Sequence, residues 1–339
     1  MAAWLAVGLG AILAVSAALG RAEWGSAVAL VFVLTAVPTL PTTWRPALAT
    51  MGIRGAAVLA GAALAVLCAG HPLALGAATI FAAVGGALLH RVGATAGLAV
   101  VLVAVDAHDA PLSPATMAPY LVGVLVVVVA WSAWFACARA LAAARRETPP
   151  DMAESRQRPW RESTGHAVRV GVAVATAVGL AALLPSDLVG GHWLITSVLL
   201  TVQPVAADTG MRLAQRLSGN TVGAVIAAVL LGTHPSVPVV AVMTVILFTL
   251  AMALRPVNYT WWAVTGPPVL LVISEYPQLF PWYEGGVRLA MNLAGAAIVL
   301  VVVFGAPALG AIRSRRQRDS FPDGAISDSV YKIQLRRTQ

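Results

Sequence analysis

The sequence predicts an all-α integral membrane protein of about twelve transmembrane segments, arranged as two parallel six-segment repeats, with some segments short, broken or re-entrant. Three observations predict it. The 339 residues are 59% apolar and only 11% charged, where a soluble domain carries about 25% charged residues. The mean hydropathy is +0.83. The apolar residues also fall into runs near the roughly 20 residues that cross a bilayer core of about 30 Å. These figures exclude a soluble globular surface and a disordered chain. A net charge of +8 would suggest nucleic acid in a soluble protein. In an apolar chain it is first a topology signal, and no nucleic-acid partner is expected.

The runs place segments at 2–20, 24–42, 51–69, 73–90, 92–106, 119–141, 166–184, 191–206, 217–233, 236–254, 257–274 and 286–306. The fifth is short for a span at about 1.5 Å per residue and reads as a half or re-entrant helix paired with the fourth. No Lys or Arg precedes Ala2–Gly20, so a signal peptide's positive n-region is missing and the segment is expected to be retained. Cys68 and Cys137 both lie in apolar runs and read as small buried hydrophobes.

With the N-terminus in the cytoplasm, twenty of the 22 Lys+Arg residues fall on the cytoplasmic side, and only Arg21 and Arg288 on the far side. That bias predicts a plasma-membrane protein with both termini and the central linker cytoplasmic. The single lysine, Lys332, and the abundance of Ala, Val and Gly suggest a bacterial source with a GC-rich genome. Residues 1–141 then form the first membrane repeat, 142–165 a basic linker, 166–306 the second repeat, and 307–339 a basic, disordered tail. The Arg313, Arg315, Arg316 and Arg318 cluster reads as an anchor to anionic lipid.

The duplication rests on four landmarks in the same order. Ala69-Gly70-His71-Pro72 matches Gly232-Thr233-His234-Pro235, Arg91 matches Arg255, Trp24 matches Trp193, and Arg54 with Gly61 matches Arg216 with Gly223. Six segments per half gives parallel repeats about an axis along the membrane normal, with a substrate path between them. Matched breaks point to that path. Gly266-Pro267-Pro268 should kink or unwind the eleventh segment, and Pro204 breaks the eighth, as gates. Proline and glycine are also simply frequent in membrane helices.

No catalytic spacing is present, and neither a cofactor nor a metal is expected. Asp106-Ala107-His108-Asp109 reads as a solvated loop rather than a metal site. The stretch most suited to a substrate is Arg255 to Trp262. Arg255 could hold a carboxylate through paired hydrogen bonds. Asn258, Tyr259, Trp261 and Trp262 could complete a site for an aromatic acid, joined by Gln203. The competing reading is an interfacial aromatic belt with a snorkelling arginine, which composition alone favours. Glu275 and then Asp208 are the candidates for proton coupling, although both could be exposed loop carboxylates. Asp208 and Arg212 could pair across one helical turn. Gly219 and Gly223, with Arg216, read as a helix-packing device.

Residues 166–305 resemble the fusaric-acid-resistance-like (FUSC) membrane domain of the aromatic acid exporter superfamily. The resemblance rests on Arg169, His192-Trp193, Gln203-Pro204 followed by Arg216-Leu217-Ser218-Gly219-Asn220-Thr221-Val222-Gly223, and Asn258-Tyr259. Asn220 stands where the family usually has Thr. Residues 1–141 look like a diverged copy, with Ala57 where the first glycine of the run would fall. The resemblance implies an inner-membrane efflux protein for aromatic or other organic acids, not an enzyme. It also implies a periplasmic or envelope adaptor as partner and a small organic anion as substrate; the lipid bilayer is a further partner, and a homo-oligomer is an open alternative that the sequence does not decide. A secondary exporter driven by the proton gradient is the first reading. A non-transporting membrane scaffold or envelope-assembly protein is the alternative, and a lipid-modifying enzyme the third.

Overall fold

The computed structural model describes residues 2–36, 43–89, 91–106, 113–145, 160–184, 190–232, 236–254, 259–275 and 284–305. Among them the chain is all helical. The helices are α1 Ala2–Ala18, α2 Ala22–Thr35, α3 Trp44–Leu67, α4 Pro72–Leu88, α5 Thr95–Asp106, α6 Pro114–Arg145, α7 Trp160–Ala181, α8 Gly191–Thr201, α9 Ala206–Gly232, α10 Val237–Leu254, α11 Tyr259–Glu275 and α12 Glu284–Leu300. A π-helical turn, Val301–Gly305, continues α12. Each apolar run of the sequence has its helix. Four helices are long and apolar enough to cross a membrane, within α3, α6, α7 and α12 with its π turn. The protein is membrane-embedded. Side chains such as Leu73, Phe81 and Val129, each more than 60% exposed, face outward where lipid makes such exposure favourable.

Two boundaries differ from the hydropathy reading. Helix α9 begins at Ala206, not near 217. Asp208, Arg212, Gln215 and Arg216 lower the local hydropathy without breaking the helix, because they cost little helix propensity. Arg212 and Arg216 are therefore helical residues and not loop charges. Pro204 lies in the turn between α8, which ends at Thr201, and α9. The Pro204 carbonyl accepts a hydrogen bond from Arg169 of α7.

Packing partners recur with an offset of six elements. Helix α3 packs on α5 and α9 on α11; α2 packs on α6 and α8 on α12; α1 packs on α2 and α7 on α8. Between the halves, α4 lies on α7 and α10 on α1, while α5 touches α8 and α11 touches α2. Helix α5 has twelve residues, about 18 Å of rise, and cannot span alone. It is instead enclosed on all sides, with every residue from Gly97 to Val103 buried. An unbroken apolar circumference suits that position. The chain reaches α5 through Gly93, at φ 56°, a left-handed conformation that glycine adopts without a steric penalty.

The expected break in α11 is not there. The helix runs continuously through Gly266-Pro267-Pro268. The two prolines remove the N–H groups that would serve the carbonyls of Ala263 and Val264 four residues back. Those carbonyls lie against α9. A Cβ added at Gly223 would sit 2.6 Å from the Val264 oxygen, and one at Gly219 would sit 3.0 Å from the Ala263 carbonyl carbon. The neighbouring helix thus covers the freed Val264 carbonyl, with Gly223 against its oxygen. Gly61 seats α3 on α5 in the same way, against the Ala96 oxygen.

Gly123 does the same for α6 against the Val28 oxygen of α2, but not every glycine is used in this way. At Gly52 of α3 an added Cβ would meet nothing within 4 Å. Gly52→Ala is expected to stabilise the protein by about 0.5–1 kcal/mol, because alanine restricts the unfolded chain and favours helix. A melting curve of detergent-purified protein reads this as a rise in Tm.

Candidate functional site

Helices α5, α8, α9, α11 and α12 enclose a cleft where the two halves meet. Its polar wall is Arg216 of α9 with Arg288 and Asn292 of α12; its apolar wall includes Leu98 and Leu102 of α5, Trp193 of α8 and Trp262 of α11. The cleft, mouth and open solvent included, spans about 420 Å³, but only about 20 Å³ of it admits a water, room for about one.

Local sequence explains how each polar group arrives there. Arg288 and Asn292 are four apart on α12, so they share one helical face. The Asn292 amide donates to the Arg288 carbonyl at 2.8 Å, which fixes its rotamer. Gly295, one turn further, lets α12 close on α8; an added Cβ there would stand 2.9 Å from the Ser197 side chain. That approach places the Arg288 guanidinium over the Trp193 ring, 4.1 Å from its centroid. Such cation–π stacking offsets part of the desolvation of a buried arginine, by about 2 kcal/mol in the best cases. On α9, the Gly219 and Gly223 contact with α11 carries Arg216 to Tyr259. Arg216 donates to the Tyr259 hydroxyl and to Asn292 Oδ1, both at 3.3 Å.

Both arginines are buried, Arg216 at 5% and Arg288 at 9% exposure. Arg216 lies close enough to Arg288 for the two like charges to repel. Removing a charge from water costs several kcal/mol even after relaxation, and a membrane interior raises the value of any compensating anion. The Arg216 Nε and both amide atoms of Asn220, next along α9, have no hydrogen-bond partner among the described residues. The wall therefore presents donors under cationic charge beside flat apolar surface. That combination suits a carboxylate attached to a hydrophobic body.

The residues singled out in the sequence divide clearly. Tyr259 and Trp262 belong to the site, Tyr259 as the partner of Arg216 and Trp262 as wall. Gly266 lines the cleft as well. Trp261 points away and is 48% exposed, as a belt residue would be. Gln203 lies outside the cleft wall, with its amide turned to the Val202 carbonyl. Asp208 is exposed on the first turn of α9. Arg212 stacks on the Tyr259 ring at 3.6 Å, which is a different contact from the expected pairing with Asp208. Arg255 and Asn258 lie outside the described residues, and the side chains of Pro267, Pro268 and Glu275 are likewise not described. Arg216, read as a packing residue, is the centre of the polar wall.

Arg288, Asn292 and Trp193 were not read as site residues. Arg288 was counted as a far-side topology charge because it stands at the edge of an apolar segment. The signal that would have found it is the spacing to Asn292. An arginine and an amide four apart in an otherwise apolar helix must turn one polar face inward.

The described residues thus form an apolar helical bundle with a buried cationic cleft between its halves. Residues 170–302 match the family model described as fusaric acid resistance protein-like. The match contains α8, α9, α11 and α12, hence the whole polar wall. No curated protein and no solved structure shows a significant match.

Proposed function

We propose that the protein is a secondary exporter of aromatic or other hydrophobic organic acids across the bacterial inner membrane, coupled to the proton gradient. In this reading the twelve helices form two parallel six-helix repeats with both termini cytoplasmic. The recurrence of packing partners at an offset of six supports the duplication. The observation that carries the function is the pair of buried guanidiniums, Arg216 and Arg288, in one cleft where the halves meet. Asn292 and Tyr259 orient the pair for a carboxylate, and Trp193 and Trp262 pack on the hydrophobic body. Arg255 and Asn258, just ahead of Tyr259 in the sequence, are kept in this reading as further contacts for the substrate. The narrow cleft is the occluded state, and substrate entry requires α5 to draw back from α8 and α11. A scaffold gains nothing from two desolvated charges of the same sign.

The second half supplies the whole polar wall. Helix α6 carries no charged residue between Pro114 and Ala138, so the first half has no counterpart of Arg288. Transport in proteoliposomes tests the proposal. Labelled benzoate should move in wild-type vesicles, faster with a pH gradient, and flux should fall about tenfold or more in Arg216→Met. Absence of benzoate flux with and without a gradient would sink it.

A further inference from the structure

Asp106 is the last residue of α5, and it is not the solvated loop carboxylate that its sequence neighbourhood suggested. The Tyr120 hydroxyl of α6 donates to Asp106 Oδ2 at 2.7 Å, and Tyr120 itself is 2% exposed. Asp106 keeps partial exposure, so water can reach it. Its position along α5 matters most. Leu98, Leu102 and Asp106 are four apart in turn and share one face, and Leu98 and Leu102 are the α5 residues that close the anion cleft. Asp106 stands about 6 Å beyond Leu102 along that face. The carboxylate therefore sits at the outer end of the helix that shuts the cleft, tied by one charge-assisted hydrogen bond to α6.

We propose that Asp106 and Tyr120 form the proton-reading latch of the transporter: protonation of Asp106 weakens its bond to Tyr120 and frees α5 to open the cleft. The inference rests on the transport reading above and assigns coupling to a residue other than Glu275 or Asp208. An ionised carboxylate accepts a phenolic proton roughly twice as strongly as a neutral acceptor, so adding a proton loosens the tie between α5 and α6. The step is balanced. One proton from the medium binds a carboxylate oxygen, no other bond is made or broken, and the proton leaves when the latch re-forms. The titratable groups that act on Asp106 are Tyr120 from α6 and Glu23 from the exposed first turn of α2. Among the described residues, none on α3, α4, α8 or α11 does so. In the topology proposed above this end of α5 faces the periplasm, the side from which an exporter must draw its protons.

Two measurements on the full-length protein in lipid test the latch. In proteoliposomes, Asp106→Asn is expected to lose gradient-driven benzoate flux by about tenfold or more while benzoate exchange at equal pH stays within about threefold of wild type. Tyr120→Phe removes the bond itself and is expected to lose gradient-driven flux in the same way, with exchange at equal pH retained. Gradient-driven flux in Asp106→Asn with wild-type pH dependence would overturn the latch. The second measurement needs no transport. The infrared carbonyl band of a protonated carboxyl group should appear on mild acidification of wild type, be missing in Asp106→Asn and move in Tyr120→Phe. No band attributable to Asp106 would also overturn the latch. Wild-type vesicles without any benzoate exchange would instead overturn the transport reading, and the infrared result would still decide whether Asp106 takes the proton.

Discussion

Arg288→Met is expected to remove aromatic-carboxylate binding and leave the protein as heat-stable as wild type or more so. The two halves of this result have separate causes. Arg288 lies 4.1 Å over the Trp193 ring and lines the same cleft as Arg216. A hydrogen bond to a charged group contributes about 1.5–3 kcal/mol, so deleting one cation of the pair should weaken a carboxylate ligand by about 10- to 150-fold. For the empty protein the sign reverses. Arg288 is desolvated and repelled by Arg216, and methionine retains much of its volume without the charge. Replacing a buried charge with a packed apolar side chain is often neutral or stabilising by about 1–4 kcal/mol. Loss of the Trp193 stacking works against that gain, at about 2 kcal/mol or less. Melting curves and benzoate titrations on the same preparation separate the two effects. A large drop in Tm with binding intact would mean that Arg288 is a structural residue.

The second large effect is at Gly223. Its added Cβ would sit 2.6 Å from the Val264 oxygen, and that atom is backbone of a helix and cannot rotate aside. Gly223→Ala must push α9 away from α11, which overpacking of this kind makes costly by about 1–3 kcal/mol. A larger side chain should prevent the protein from accumulating in the membrane. The Val264 carbonyl, which lost its helical partner to Pro268, would also lose its cover. Separation of α9 from α11 would carry Arg216 away from Tyr259, so benzoate affinity should fall together with Tm. Gly52→Ala, with open space around it, is the control for glycine replacement in itself. Equal effects at Gly52 and Gly223 would contradict the packing account.

Much of this architecture was legible in the sequence, for a definite reason. Membrane helices are written as apolar runs, and all twelve runs became helices. The Arg54–Gly61 and Arg216–Gly223 landmarks, visible as a repeat, mark two of the places where a glycine seats one helix on the backbone of another. The site was harder to read because its chemistry erases the signal that reveals spans. Arg212 and Arg216 lowered the hydropathy of α9 enough to look like a loop. Arg288 fell at a segment edge and was absorbed into the charge count. Tyr259 and Trp262 were legible as an aromatic cluster beside a cation, yet the cation that Tyr259 serves comes from α9, 43 residues earlier in the chain. Nothing in local spacing encodes that contact. The prolines of α11 misled in the opposite direction. Their missing N–H groups predict a break only when no neighbour covers the freed carbonyls, and Gly223 of α9 covers that of Val264.

The central claim is that Arg216 and Arg288 together select for negative charge on a hydrophobic ligand. Titration of the purified protein in lipid nanodiscs with benzoate and with benzamide, its neutral counterpart of nearly the same shape, tests it most directly. Benzoate should bind about 10- to 150-fold more tightly than benzamide to wild type, and the preference should collapse in both Arg216→Met and Arg288→Met. Equal affinity for the two ligands in wild type, or a preference that survives both substitutions, would contradict the account.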